Sequence, residues 1–420
     1  MNRRKRSPLL LMALTILIDF TGFGLILPLL PFWAQHLGAN PIGIGLILTM
    51  YALAQFIFTP ILGTLSDRYG RKPIIFSSLL IEAASLALSA LAWSLPILLL
   101  ARFIGGLGAS NIGSAQAVVS DTTSPTDRAK GMGLIGASIG LGFVIGPALG
   151  GVLAPLGPSI PFWAATGVAL LNALLVFIFL PETLQRQDRL MQTESARSNF
   201  FAGITRAMRY PVVIRLIAIN LIFTVAFTAM EAIFPLFTQH TYGWGAPQNG
   251  YIFTYIGVII VLMQGGLVGQ LVKHWNEQAI MVVGLIMLAV GLTMLAFSTQ
   301  LAILLVTLGV LSVGEGAVTP LVSTLLSFAS PTEAQGEILG LAQGMAGLGR
   351  IVGPVAAGSI YAIGGPAMPF IASGILVVLA TVIAVPKMAV SRTSTAKGHV
   401  AEGPDHTAEV EVASTTGQHL

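Results

Sequence analysis

The sequence predicts an all-α polytopic membrane protein, with twelve transmembrane helices in two pseudo-symmetric six-helix bundles. Three observations predict it: apolar runs of spanning length, segregation of charge to alternate connections, and an internal repeat. Composition agrees. The chain is 55% hydrophobic and 9% charged with a mean hydropathy of +0.85, far above a soluble domain.

A helix needs about 20 apolar residues to cross a bilayer. Runs of that kind fall near 8–30, 42–62, 74–93, 96–118, 130–154 and 160–180, then near 212–236, 249–272, 279–298, 300–326, 336–361 and 368–386. They define a first bundle over 1–180, a polar linker over 181–211 and a second bundle over 212–386. The linker carries Arg186, Arg189, Arg197, Arg206 and Arg209 and reads as part loop, part surface helix. The polar tail over 387–420 is expected to be disordered. The basic start, MNRRKRSP, precedes an apolar run too long for a signal-peptide core, with no A-x-A site after it, so it reads as a retained first span. An even number of spans puts both termini on one side.

Charge placement tests the topology. All but two of the 21 Lys and Arg fall in the termini, in the linker or its edge, or in the connections between spans two and three, four and five, and eight and nine. The exceptions, Arg102 and Arg350, lie inside spans. The alternate connections, near 31–41, 94–95, 155–159, 237–248, 299 and 362–367, hold no charged residue. The positive-inside rule then puts both termini and the 63–73 loop in the cytoplasm, with the chain in the cell (inner) membrane.

The halves are copies. PFWAQH (31–36) matches PLFTQH (235–240), and SPTDRAKG (124–131) matches SPTEAQG (330–336). GFVIGPALGG (142–151) matches GRIVGPVAAG (349–358), and GPSIPF (157–162) matches GPAMPF (365–370). Four matches at nearly one offset mean a duplicated six-span unit. Such parallel halves build transporters with a site near the midplane. The 47 glycines suit closely packed membrane helices.

Other functions find little footing. There is no cysteine, hence no disulfide, cysteine-ligated zinc or thiol nucleophile. No Walker loop, H-E-x-x-H or paired histidine cluster occurs, so no metal, cofactor or enzymatic activity is expected. His36 and His240 are equivalent positions that read as duplicated surface residues. GLGRIVG (347–353) imitates a dinucleotide fingerprint, but no strand precedes it. The net charge of +4 does not indicate nucleic acid, because the basic residues follow membrane orientation rather than forming a patch.

GTLSDRYGRKP (63–73) joins spans two and three and packs Asp67, Arg68, Arg71 and Lys72 into six positions. It resembles the signature loop of the major facilitator superfamily, G-x-L-x-D-R-x-G-R-K. The resemblance implies the major facilitator fold and a latch for the outward-facing state, formed by Gly63, Asp67, Arg68, Gly70, Arg71 and Asp121. Gly63 would let span two approach span eleven. Asp67 would sit at the N-terminus of span eleven, where a helix favours negative charge. Arg71 would pair with Asp121. A plain positive-inside anchor explains the basic residues but not Asp67. The copy at 269–278, GQLVKHWNEQ, has Lys273 in that place, so the latch is expected on one side only.

GFVIGPALGG places Gly142, Gly146 and Gly150 on one helix face, with Pro147 and Gly151 beside them. Pro147 lacks a donor and bends a helix. The run resembles the motif of proton-coupled exporters in the superfamily; small-residue packing alone is the other reading. Arg102, in LLLARFIGGLGAS (98–110), resembles the superfamily's span-four R-x-x-x-G motif, associated with proton coupling. It either faces a polar cavity or snorkels to the nearer surface.

Asp19, mid-span in LTILIDFTGFGLILPLLP (14–31), is the leading proton-site candidate, since an intramembrane carboxyl group marks a functional or structural pairing. Glu82, Glu231, Glu315 and Arg350 are also intramembrane, and Glu315–Arg350 or Glu231–Arg350 could form a structural pair. Gln55, Asn111, Asn220, Gln264 and Gln343 either line a cavity or bond between helices.

Over nearly the whole chain to residue 386 the sequence is similar to twelve-span drug:proton antiporters, above all tetracycline exporters. LIDFTGFGLILPLLP, SDRYGRKP, SDTTSPTDRAKGMGLIGASIGLGFVIGPALGG and LFTQHTYGW carry that likeness. Two positions depart from it: Ser85 and Leu288 stand where acidic residues of spans three and nine are expected, with Glu82 one turn from Ser85. The resemblance implies exchange of protons for a small amphipathic substrate across the bilayer, and the chain is expected to act as a monomer. A proton-coupled nutrient symporter and a non-transporting membrane sensor share the fold.

Overall fold

The computed structural model describes residues 3–124, 127–184, 207–331 and 334–388. The expected disordered tail beyond residue 388 and the linker residues 185–206, with Arg186, Arg189, Arg197 and Arg206, lie outside the described residues.

Among the described residues, eleven helices are long and apolar enough to span: Pro8–Ile26, Pro41–Tyr69, Arg71–Ala90, Leu95–Thr122, Lys130–Leu156, Ile160–Phe179, Pro211–Tyr242, Ala246–His274, Glu277–Leu295, Leu301–Ala329 and Gln335–Gly364. The twelfth, Met368–Ala384, has 17 residues, at the short end of what crosses a bilayer. They are numbered one to twelve as spans.

Local chemistry sets the boundaries, and several differ from the apolar runs. Span one ends at Ile26 rather than near 30. Pro28 lacks an N–H and disfavours helical geometry at Leu27. The chain turns there and restarts as the short helix Leu30–His36, with Pro31 in its first turn. Asn40 then caps span two, its side chain accepting the Gly43 N–H at 2.8 Å. Span seven continues six residues past its apolar run, through Pro235 to Tyr242, and stops at Gly243, which holds φ +67°. Span four is interrupted by a tight 3-10 turn at Ala109–Asn111. Span eight widens into a π-helical stretch at Met263–Leu267.

The packing repeats between the halves. In the first, span pairs one–five, one–six, two–four, three–four and three–six lie together. In the second, seven–eleven, seven–twelve, eight–ten, nine–ten and nine–twelve do so. Two large contacts cross between halves, two–eleven and eight–five, which the same pseudo-twofold exchanges.

These crossing contacts are made by glycine against backbone, which lets helices approach closely. A Cβ on Gly45 would strike the Pro354 carbonyl oxygen, and one on Gly250 would stand 2.7 Å from that of Pro147. Gly358 meets the Pro41 carbonyl in the same way, and Gly151 that of Pro247. Gln35 Nε2 donates to Gln239 Oε1 at 2.9 Å across the same seam.

All of this lies toward the charge-free end. Along span two, approaches to span eleven run from Pro41–Gly358 through Gly45–Pro354 and Thr49–Ile351 to Phe56–Gly347. Farther along, Gly63 has nothing within 4 Å of where a Cβ would stand, and neither do Gly336 and Gly340 of span eleven. The halves are closed at the charge-free end and parted at the charge-rich end.

Candidate transport site and latch

Five residues from the first four spans meet at mid-depth. Asp19 of span one has Glu82 of span three and Asn111 of span four as its polar neighbours. The 3-10 turn at Ala109–Asn111 brings Asn111 into this position. Span four is stripped of side chains where its neighbours press on it. A Cβ on Gly106 would strike the Tyr51 carbonyl, and one on Gly108 would lie 2.7 Å from the Glu82 backbone nitrogen. Ser85, where an acid was expected, instead donates to the Ala101 carbonyl at 2.6 Å.

Arg102 is 4% exposed, so it does not snorkel. Its guanidinium lies 4.4 Å over the Tyr51 ring. Gln55 donates to the Ala109 carbonyl at 3.4 Å, an interhelical role. Carboxylates only accept hydrogen bonds, so Asp19 and Glu82 are joined only when one carries a proton. Such an arrangement is suited to loading and releasing one.

The second half supplies Glu231 of span seven, Glu315 of span ten and Arg350 of span eleven. Thr319 Oγ1 donates to Glu315 Oε1 at 3.0 Å, while among the described residues the buried Glu315 Oε2 has no partner. The alternative of a structural pair with Arg350 is not realised in this conformation. Among the described residues neither Glu231 nor Glu315 makes an ion pair with it. Arg350 projects between the parted halves instead, with Glu231 and Tyr51 as its electrostatic neighbours. Its side chain is exposed although it sits midway along span eleven, as are those of Gln264 and Gln343. Asn220 bonds the Ala342 carbonyl at 3.0 Å, joining spans seven and eleven.

At the charge-rich end, Arg71 is the hub of the 63–73 loop. Its Nε donates to Asp121 Oδ2 at 3.3 Å, as the resemblance implied. Its Nη1 donates to Ser66 Oγ at 2.8 Å and also bonds Asp67. Gly70 takes φ +112°, a conformation that favours glycine, which lets span three begin at once after span two. Arg68 lies over the Tyr69 ring at 5.5 Å. Two contacts expected of the outward-facing state are not made in this conformation. Asp67 bonds Arg71 rather than the start of span eleven, and Gly63 does not touch span eleven. The halves are parted at this end, which leaves Gly63, Gly336 and Gly340 facing open space.

The GFVIGPALGG run has two faces. Gly142, Gly146 and Gly150 receive the backbone of span one at Phe20, Thr21 and Leu25. Gly151, with the Pro147 carbonyl, receives Gly250 of span eight. Gly349 and Gly353 repeat the first face against Thr224 and Thr228 of span seven. The helix runs unbroken through Pro147.

Sequence reading missed Tyr51, whose only signal was a polar aromatic in mid-span. It also missed Glu182 and Thr183, just after span six. Glu182 accepts the backbone N–H groups of Arg71 and Lys72 at 2.9 and 3.3 Å, and Thr183 donates to Asp121 at 3.4 Å. Among the described residues no cluster of His, Asp and Glu could hold a metal ion.

Comparison with known proteins accords with this geometry. The sequence profile described as the Major Facilitator Superfamily matches residues 12–284 and 267–411. Multidrug resistance protein 2 of Bacillus subtilis (strain 168) is 31% identical over 86% of this chain and 90% of its own length. The class B tetracycline resistance protein of Escherichia coli is 30% identical over 82% of this chain and 86% of its own. Among solved structures, the human organic anion transporter MFSD10 superposes with a TM-score of 0.68 at 25% identity, covering 91% of this chain and all of that one. A bacterial homologue of the lysosomal transporter Spinster, inward-facing and unoccupied, gives 0.76 at 15% identity over 91% of this chain and 97% of its own, a likeness of fold alone. The duplicated helix packing, the span-two loop and the profile match over most of the chain lead to one conclusion: this protein belongs to the Major Facilitator Superfamily, as a multi-pass secondary transporter of small solutes and not an enzyme.

Proposed function

We propose that the protein is a drug:proton antiporter that exports a small amphipathic compound by alternating access, with inward proton flow as the driving force. The observation that carries this reading is the intramembrane Asp19–Glu82 carboxyl pair, which only a proton can join. Arg102 and Asn111 stand beside it. Glu231, Glu315, Arg350 and Gln264 would form the substrate wall of the second half, opposite Gln55 and Tyr51.

In this reading the charge-rich end is cytoplasmic, with both termini there, in the cell membrane. The halves, 1–180 and 212–386, rock as bodies. The Asp67–Arg71–Asp121 set closes on span eleven when the cytoplasmic end shuts. One chain suffices for the cycle, because both halves of the cavity come from it. Names of relatives support a drug or tetracycline substrate, and the organic anion transporter widens the choice. A substrate panel therefore includes all three chemistries.

The test is proton flux in everted vesicles. Addition of a transported compound should release protons from acid-loaded vesicles bearing the wild-type chain. Asp19→Asn should remove this response while the protein still folds. Full coupled transport by Asp19→Asn would eliminate Asp19 from the mechanism, and accumulation with the proton gradient rather than against it would make the protein a symporter.

A further inference from the structure

The first-half cluster contains an ion pair that is not made. Arg102 is 4% exposed and Glu82 6% exposed, on adjacent spans. Among the described residues, Arg102 Nε and Glu82 Oε2 are both buried without a hydrogen-bond partner. Among the described residues Arg102 has no carboxylate within ion-pair distance. Two opposite groups with unmet bonds on neighbouring spans normally close on each other, because an unpaired buried polar group is costly.

Arg102 is instead engaged by Tyr51. The guanidinium lies over its ring at 4.4 Å, a cation–π arrangement. The ring is fixed in place. It packs on Phe23 with centroids 5.3 Å apart, and a Cβ on Gly105 would lie 3.6 Å from its Cδ2. Gly106 clears room for the Tyr51 backbone. Arg102 and Gly106 are four residues apart and so share a face of span four. The two fixed positions of R-x-x-x-G thus converge on one residue: the glycine admits the span-two backbone, and the arginine covers the ring that this approach delivers.

We propose that Tyr51 is the resting platform of Arg102, a positioning residue that keeps the guanidinium off the Asp19–Glu82 pair while the pair holds its proton. The proposal rests on the proton-coupled reading above. When the proton leaves for water at the open end, Glu82 becomes a full carboxylate. Its attraction for a guanidinium in a dry site exceeds that of an aromatic face, so Arg102, still protonated, crosses from Tyr51 to Glu82. Reloading the proton sends it back. The ionisable groups around Tyr51 are Asp19 of span one, Glu82 of span three, Arg102 of span four and Arg350 of span eleven. Arg350 acts on it electrostatically from the other half.

The experiment compares Tyr51→Leu with Tyr51→Phe in the full chain. Phenylalanine keeps the ring, and leucine removes it. In vesicles, Tyr51→Phe should keep the wild-type pH profile of transport. Tyr51→Leu frees Arg102 to favour the carboxylate, and its half-maximal pH should move to the acid side by roughly one unit, as for a carboxyl group gaining a cation neighbour. Coincident profiles for the two variants would overturn the proposal. A second arm needs no transport. Thermal unfolding in detergent at alkaline pH is measured for Tyr51→Leu alone and combined with Glu82→Gln, which leaves Arg102 no carboxylate to join. The loss of Tm caused by Tyr51→Leu should be larger in the Glu82→Gln background, and equal losses would refute the platform. If wild type shows no proton flux, the antiport reading fails and this arm still decides. Should Tyr51→Leu not fold, Tyr51→Met, which fills more of the space, replaces it in both arms.

Discussion

Gln35 and Gln239 stand at equivalent positions of the two repeats, and their side-chain amides bond to each other at 2.9 Å. A pair of equivalents that touch must lie beside the pseudo-twofold axis. Here that axis leaves the molecule at the charge-free end, where the halves are closed.

Cross-linking these two positions should therefore stop the cycle. The chain has no cysteine, so Gln35→Cys with Gln239→Cys gives a clean background. A short bifunctional thiol reagent should reduce transport to background, and a cleavable version should restore it on reduction. Undiminished transport by the linked protein would show that this end never needs to open.

The glycine seam should tolerate no added carbon. Gly45→Val and Gly250→Val each place atoms against the backbone of span eleven or five, and forced overpacking costs about 1–3 kcal/mol. Because the pseudo-twofold exchanges the two sites, both should lower Tm and slow transport to a similar degree. Gly63→Val, which meets nothing in this conformation, should leave Tm unchanged. A drop in its transport alone would mark the state closed at the charge-rich end.

Glu182 provides what span three lacks. No side chain of the preceding turn caps that helix, and the Glu182 carboxylate accepts its first two N–H groups from across the bundle. Loss of a cap costs about 1 kcal/mol. Glu182→Ala should lower stability by that order, seen as a lower Tm in detergent, with Glu182→Gln intermediate because an amide oxygen still accepts.

Glu82→Gln should separate binding from coupling. The variant can still hydrogen-bond Asp19 but cannot release a proton. Proton-driven accumulation should fall to background while substrate still equilibrates down its own gradient in proteoliposomes. Retained accumulation would leave Asp19 as the sole carrier.

Twelve spans, the duplication and the charge-rich loop were legible because each rests on patterns local in sequence: run length, offset and charge. The Arg71–Asp121 pair followed from a loop motif. The Asp19–Glu82 contact did not, because it depends on Gly108 letting span three sit against span four, and nothing in the spacing of 19 and 82 announces it. Arg350 misled for the opposite reason. Two intramembrane acids within reach of one arginine suggest an ion pair, but its helix turns it toward the space between the halves. Tyr51 was invisible as a polar group because a tyrosine in a span reads first as packing.

The two ends of the molecule are held by different forces. Gly45 on Pro354 and Gly250 on Pro147 join backbone to backbone without a formal charge, whereas Asp67, Arg71 and Asp121 are ions near water. Dissolved salt screens the second kind and leaves the first untouched. Ionic strength should thus act as a one-way throttle: raising it at the charge-rich end alters how fast that gate shuts, and the opposite gate keeps its own time.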